Sequence, residues 1–197
     1  KYETSFGFTE KEVFSVLDEY GLSDRKTEVT EWYDGFTFGN KPDIYNPWSI
    51  VSYLDKREIG SYWVDSSSNG LISKLIKTGS AGIKKTMEIL LEGGGIEKRI
   101  DEQIVYNQID KKENAIWSLL LASGYLCVVK LRVEGELRKK IYTLKITNKE
   151  VQMMFESMIE EWFDNGNDSN ENFIEAMLAG DLYAMNSYMN DIALATF

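Results

Sequence analysis

Residues Glu31 to Leu54, EWYDGFTFGNKPDIYNPWSIVSYL, constrain the fold more than any other stretch of the chain. Trp32, Tyr33, Phe36, Phe38, Tyr45, Trp48 and Tyr53 all fall within it. Aromatic rings this dense call for a shared buried cluster. Two breakers divide the stretch. Asp34-Gly35 predicts a helix end that runs into a turn, because glycine tolerates positive φ. Asn46-Pro47 predicts a helix start, with Asn46 as N-cap and Pro47 in the first helical position. The reading is a helix end, a tight loop and a new helix stapled together by rings. Trp48, Val51 and Leu54 are expected on the inward face of the new helix.

The composition narrows the function. The 197 residues are enough for one large or two small domains. A hydrophobic content of 43% supports a sizeable core. The single cysteine, Cys127, argues against a disulfide framework and fits a reducing, cytoplasmic setting. There is no histidine, which removes histidine triads and histidine metal sites. No signal peptide and no apolar run near membrane-spanning length is present, so no membrane partner is expected. A net charge of −10 opposes non-specific attraction to nucleic acid. The chain starts at Lys1 and ends at Phe197 inside an apolar helical pattern, which points to a piece of a longer protein.

In chain order, Thr9-Glu10-Lys11-Glu12 is a capping box, followed by a stripe of Val13, Val16, Leu17 and Tyr20. Val29, Trp32 and Tyr33 share a face of a second short helix. Ser66 to Asn69 offers N-caps for Leu71, Ile72, Leu75 and Ile76, and Gly79 closes that helix. Ile83, Met87, Leu90 and Leu91 mark another, ended by Gly93-Gly94-Gly95. Residues 1–92 thus read as an all-helical, lid-like unit. The glycine run is not a phosphate loop, since no lysine and hydroxyl pair follows it.

Residues 93–147 read as a winged-helix-like unit. Ile96 to Ile109 predicts a short strand or extended connector. Asn114 to Ser123 is a helix, stopped by Gly124. Tyr125 to Val133 and Lys139 to Ile146 are the strands of one β-hairpin about Glu134-Gly135-Glu136. An isolated hairpin is marginal, so it has to pack on the helices. Its basic residues, Lys130, Arg132, Arg138, Lys139 and Lys140, have two readings. They are an edge guarded against aggregation, or a wing that touches phosphates of DNA.

Residues 148–197 are C-terminal helices. Thr147-Asn148-Lys149-Glu150 reads as a second capping box, ahead of Val151, Met154, Phe155, Met158, Ile159, Trp162 and Phe163. Asp164 to Asn170 is a polar linker that lacks the register of a calcium loop. Phe173, Ile174, Met177 and Leu178, then Leu182, Met185, Met189 and Ile192, mark the last helices, with the methionines as core filler. The fold class is mainly α, α+β: a short-helix lid, a winged-helix-like unit with one hairpin, then helices.

The strings WYDGF, YNPWSIVSYL and the later YW…SS-x-N resemble the AAA-ATPase-like family. These are P-loop ATPases that carry a C-terminal PD-(D/E)XK nuclease-like domain. The residues that carry the resemblance are Trp32, Tyr33, Asp34, Gly35, Phe36, Tyr45, Asn46, Pro47, Trp48 and Ser49. The resemblance covers most of the chain and implies a parent protein that binds ATP and Mg²⁺ upstream of Lys1, with nuclease strands downstream of Phe197. It places neither active site here. Tyr33, Asp34, Tyr45, Asn46 and Trp48 would form a pivot, or Asp34 would instead face the nucleotide. The two D-x-K triplets, Asp24-Arg25-Lys26 and Asp110-Lys111-Lys112, lie in polar stretches without a strand, unlike a nuclease site. No catalytic, cofactor-binding or metal-binding residue is assigned to this segment. Its expected role is a regulatory or interaction segment that couples the flanking ATPase and nuclease-like domains. A winged-helix nucleic-acid binder and a protein-interaction module are the alternatives.

Overall fold

The computed structural model describes residues 5–39, 41–66, 69–100, 113–164 and 176–196. Strand β1 (Phe8–Thr9) leads into α1 (Glu10–Glu19), a 3-10 turn at Ser23–Arg25 and α2 (Lys26–Tyr33). Strands β2 (Phe36–Phe38) and β3 (Lys41–Tyr45) follow, then α3 (Pro47–Lys56), α4 (Trp63–Ser66), α5 (Gly70–Lys77) and α6 (Ala81–Leu91). After β4 (Ile96–Lys98) come α7 (Glu113–Ala122), β5 (Leu126–Glu134), β6 (Lys139–Ile146), α8 (Lys149–Asp164) and α9 (Leu182–Thr196). The fold class is α+β.

Local chemistry accounts for most boundaries. Thr9 and Glu12 cap α1 reciprocally: the Thr9 amide donates to Glu12 Oε2 at 2.8 Å, and Thr9 Oγ1 accepts from the Glu12 amide at 3.4 Å. Asn46 Oδ1 accepts from the Trp48 amide at 2.9 Å, with Pro47 opening α3. Helix α2 stops at Tyr33, and Gly35 takes φ 110°. Gly93, at φ 81°, ends α6.

Residues 1–92 are not all-helical. Strands β1, β3 and β2 form a three-stranded antiparallel sheet in that order, with Phe8 opposite Tyr45 and Phe36 opposite Ile44. Pro42 is tolerated in the central strand because β1 covers only Ile44 and Tyr45, while the ladder to β2 is irregular between Phe36 and Phe38. The second sheet also exceeds one hairpin. β4 pairs with β6, Ile96 opposite Leu144, to give the order β4-β6-β5. That pairing and the helices beneath answer the marginal stability of a lone hairpin.

Two apolar cores result. The smaller joins Val13, Leu17, Val29, Tyr33, Tyr45, Ile50 and Tyr53. The larger gathers Ile76 and Met87 from α5 and α6, Trp117 and Leu120 from α7, Leu144 from β6 and Val151 and Phe155 from α8. The inward face of α3 is Ser49, Ile50 and Tyr53, so the expected phase is corrected: Trp48 is 57% exposed and Val51 52%. Leu54, the third residue expected on that face, does pack against the smaller core. Tyr20 and Leu71 face solvent. Met87, Met154 and Met158 are core residues, but Met177 and Met189, with Leu178 and Leu182, are exposed. Ile104, Ile109, Asp110-Lys111-Lys112, most of the 164–170 linker, Phe173 and Ile174 lie outside the described residues, as do the side chains of Trp162, Phe163 and Ile192.

Two glycines separate close approach from mere turn geometry. A Cβ on Gly35 would strike the Thr147 carbonyl oxygen, whereas one on Gly135, at φ 67° in the hairpin turn, meets open space. Gly35→Ala is expected to lower stability by about 2–4 kcal/mol and Gly135→Ala by about 1 kcal/mol in urea unfolding. Equal losses would contradict the close-approach account.

Candidate functional site

The two motif strings meet at the first turn of α8. The expected capping box there is not formed in the predicted way. The Thr147 hydroxyl donates to the Gly124 carbonyl at 2.7 Å. Asn148 is the cap instead, its Oδ1 accepting from the Val151 amide at 3.1 Å. This frees Glu150 to turn inward, where it is fully buried. Its Oε1 accepts from the amides of Tyr62 at 2.6 Å and Trp63 at 2.7 Å, and its Oε2 from the Ser49 hydroxyl at 2.9 Å. Short bonds to a carboxylate are the strong kind, and a buried charge persists only when so satisfied.

Around this clasp the WYDGF string is fixed residue by residue. Trp32 tilts against Tyr33 at 6.4 Å. Tyr33 is buried; its hydroxyl donates to the Gly60 carbonyl at 3.0 Å and accepts from the Gly60 amide at 3.1 Å. Burial pushes its phenol well above the ordinary tyrosine value. The Asp34 carbonyl accepts from Asn148 Nδ2 at 2.8 Å. The Asp34 carboxyl is different: its Oδ1 is buried with no hydrogen-bond partner. Burial first, then the nearby Asp43 and Glu10 carboxylates, raise its pKa to about 6, against a lowering bond from the Gly35 amide. Phe36 meets Trp63 edge to face at 5.4 Å. Tyr45 shares a 3.0 Å bond with Thr30, and burial pushes its phenol up to about 12. Lys149 pairs with Glu31 at the exposed rim, a contact worth little by itself.

Thus Tyr33, Asp34, Gly35, Phe36 and Ser49 converge on one junction with residues 147–150, beside Tyr45, Asn46 and Pro47, while Trp48 points to solvent. The sequence reading missed Glu150 and Asn148 as tertiary contacts. Their only signal was the TNKE string, which local capping explains equally well.

The basic residues of the hairpin divide between its two faces and its turn, with Lys130, Arg132 and Lys139 sharing one face. Arg132 sits between Glu97 and Glu134, at 2.9 Å from each. Arg132 lies opposite Ile141 and Lys130 opposite Thr143, on one face; Lys140 lies opposite Val133 on the other. Lys139 stands opposite Glu134, and Arg138 occupies the turn at φ 48°. Val129, Leu131, Val133 and Leu137 are exposed beside them. Among the described residues, no cluster of acidic or cysteine side chains could hold a metal ion, and no helix is long and apolar enough to cross a membrane. The chain matches no family model, and no curated protein or solved structure matches it significantly.

Glu150→Ala strands the Ser49 hydroxyl and two amides, and is expected to cost about 3–5 kcal/mol in urea unfolding, against about 1–2 kcal/mol for Glu150→Gln. A loss below 1 kcal/mol for the alanine variant would contradict the clasp. Asp34 gives a pH signature. It holds its proton to about pH 6 when folded but only to about pH 4 when unfolded. Its stabilising contribution is therefore complete below pH 4 and lost as the pH rises through 6. Between pH 5 and 7 the urea midpoint should fall with pH in the wild type and flatten in Asp34→Asn.

Proposed function

We propose that this chain is a non-catalytic coupling segment of an AAA-ATPase-like protein, passing movement between a nucleotide-binding domain and a nuclease-like domain. The observation that carries this reading is the Glu150 clasp. Ser49 belongs to the YNPWS string on the smaller core, and Glu150 to the helix that crosses the larger one. A displacement of the first unit is thereby transmitted directly to the start of α8. ATP and Mg²⁺ would be held upstream, and Trp48, exposed beside the clasp, is a contact point for a flanking domain.

The winged-helix reading has its own support. Helix α7 precedes β5, and the sheet order β4-β6-β5 places β4 beside the returning strand. The helix favours a mechanical over a nucleic-acid role. Ala115 through Leu120 are all buried, so this described stretch of α7 presents no exposed polar face of the kind that a groove-reading helix requires.

Two experiments test the proposal. Hydrogen exchange should show α2 and α6 opening with the same free energy in the wild type and with different ones in Glu150→Ala; independent opening in the wild type would contradict coupling. Fluorescence anisotropy with labelled duplex DNA should show no salt-sensitive binding. Binding that weakens with salt and disappears on neutralising Arg138, Lys139 and Lys140 would favour the nucleic-acid reading instead.

A further inference from the structure

Strands β2 and β5 are each the outermost strand of their sheet, and they face one another across a cavity of about 570 Å³. Six aromatic residues border it, Phe6, Phe36, Phe38, Tyr45, Trp63 and Tyr142, together with Cys127 and small or aliphatic residues. Phe36 stands edge to face on Trp63, which fixes that part of the wall, while Phe6, largely exposed, stacks on Phe38 at 5.8 Å. Among the described residues, no lysine, arginine, aspartate or glutamate lines the space. That exclusion is informative in a chain with 27% charged residues. Burial also raises the Cys127 pKa, which keeps the thiol neutral.

From this geometry we infer that the cleft between β2 and β5 is a binding site for an uncharged, planar ring compound. The volume lies within the range of small-molecule sites. Aromatic faces and edges on several sides select a flat ligand, and the outer main-chain edges of β2 and β5 offer hydrogen bonds to a polar atom on its rim. No described lining residue carries a charge to pair with an ionic ligand, which would enter at a desolvation cost. The site goes beyond the coupling role, yet it touches that machinery. Trp63 presents its ring to the cleft and its amide to Glu150, and Gly35 and Thr147 border both.

The test uses the whole chain and N-phenyl-1-naphthylamine, an uncharged fluorophore that brightens in apolar surroundings, beside anilinonaphthalene sulfonate as its anionic counterpart. The neutral probe should bind saturably, one per chain, and at least about tenfold more tightly than the sulfonate, a preference of about 1.4 kcal/mol. Bound probe should slow alkylation of Cys127, the only thiol in the chain. Phe38→Ala should weaken binding, while Leu137→Ala, which trims a side chain 80% exposed at the hairpin tip, should leave it unchanged. Non-saturable binding, equal affinity for the sulfonate, or an unaltered alkylation rate at saturation would each overturn the site. So would a loss in Leu137→Ala as large as that in Phe38→Ala.

Discussion

A carboxylate withdrawn from water is expensive unless strong donors surround it, and the structure turns on one such group. Glu150 is buried among a hydroxyl and two backbone amides drawn from α3 and from the start of α4. Neither core supplies that arrangement alone. Tyr62 packs against the smaller core, which also borders Ser49, and Trp63 packs against the larger, so the donors to Glu150 come from both sides. Removing the carboxylate leaves polar groups stranded on both sides, so the two cores share one penalty. The other contacts at the junction follow the same line. Asn148 holds the Asp34 carbonyl, and Gly35 exists so that the chain can lie against Thr147.

The aromatic residues play a complementary part. Tyr33 is fixed by both polar groups of Gly60, and Phe36, Trp63, Tyr125 and Phe155 form a relay of ring contacts from the motif into the larger core. Rings give area and shape, while the carboxylate gives register. The same rings border a cleft between the two sheet edges, beside the clasp, with no charged group among its described lining residues. Asp34 stands out against this background, because one of its oxygens is buried and unanswered. Its raised pKa makes the junction lose stability as the pH rises through about 6.

Much of the fold was legible in the sequence where local chemistry decides it. Thr9 with Glu12, Asn46 with Pro47, and the turn at Gly35 announce their helix boundaries, and the long alternation around Gly135 announces the hairpin. The β1-β3-β2 sheet was not legible. Its strands run two to five residues, and the central one carries a proline, so neither period nor composition marks them. The phase of α3 misled because Trp48 and Val51 are apolar but exposed. At the site, the motif residues were found and their partner was not. A glutamate three residues after a threonine reads as a capping box, and only tertiary structure shows that Asn148 takes the cap and releases Glu150 to the interior.

The most direct test of the clasp is a double-mutant cycle between Ser49→Ala and Glu150→Ala, read by urea unfolding. A charge-assisted buried hydrogen bond predicts a coupling energy of about 1–3 kcal/mol between the two positions. Losses that add to within about 0.5 kcal/mol would mean the two residues act independently, and the buried carboxylate would not be what joins the halves of the fold.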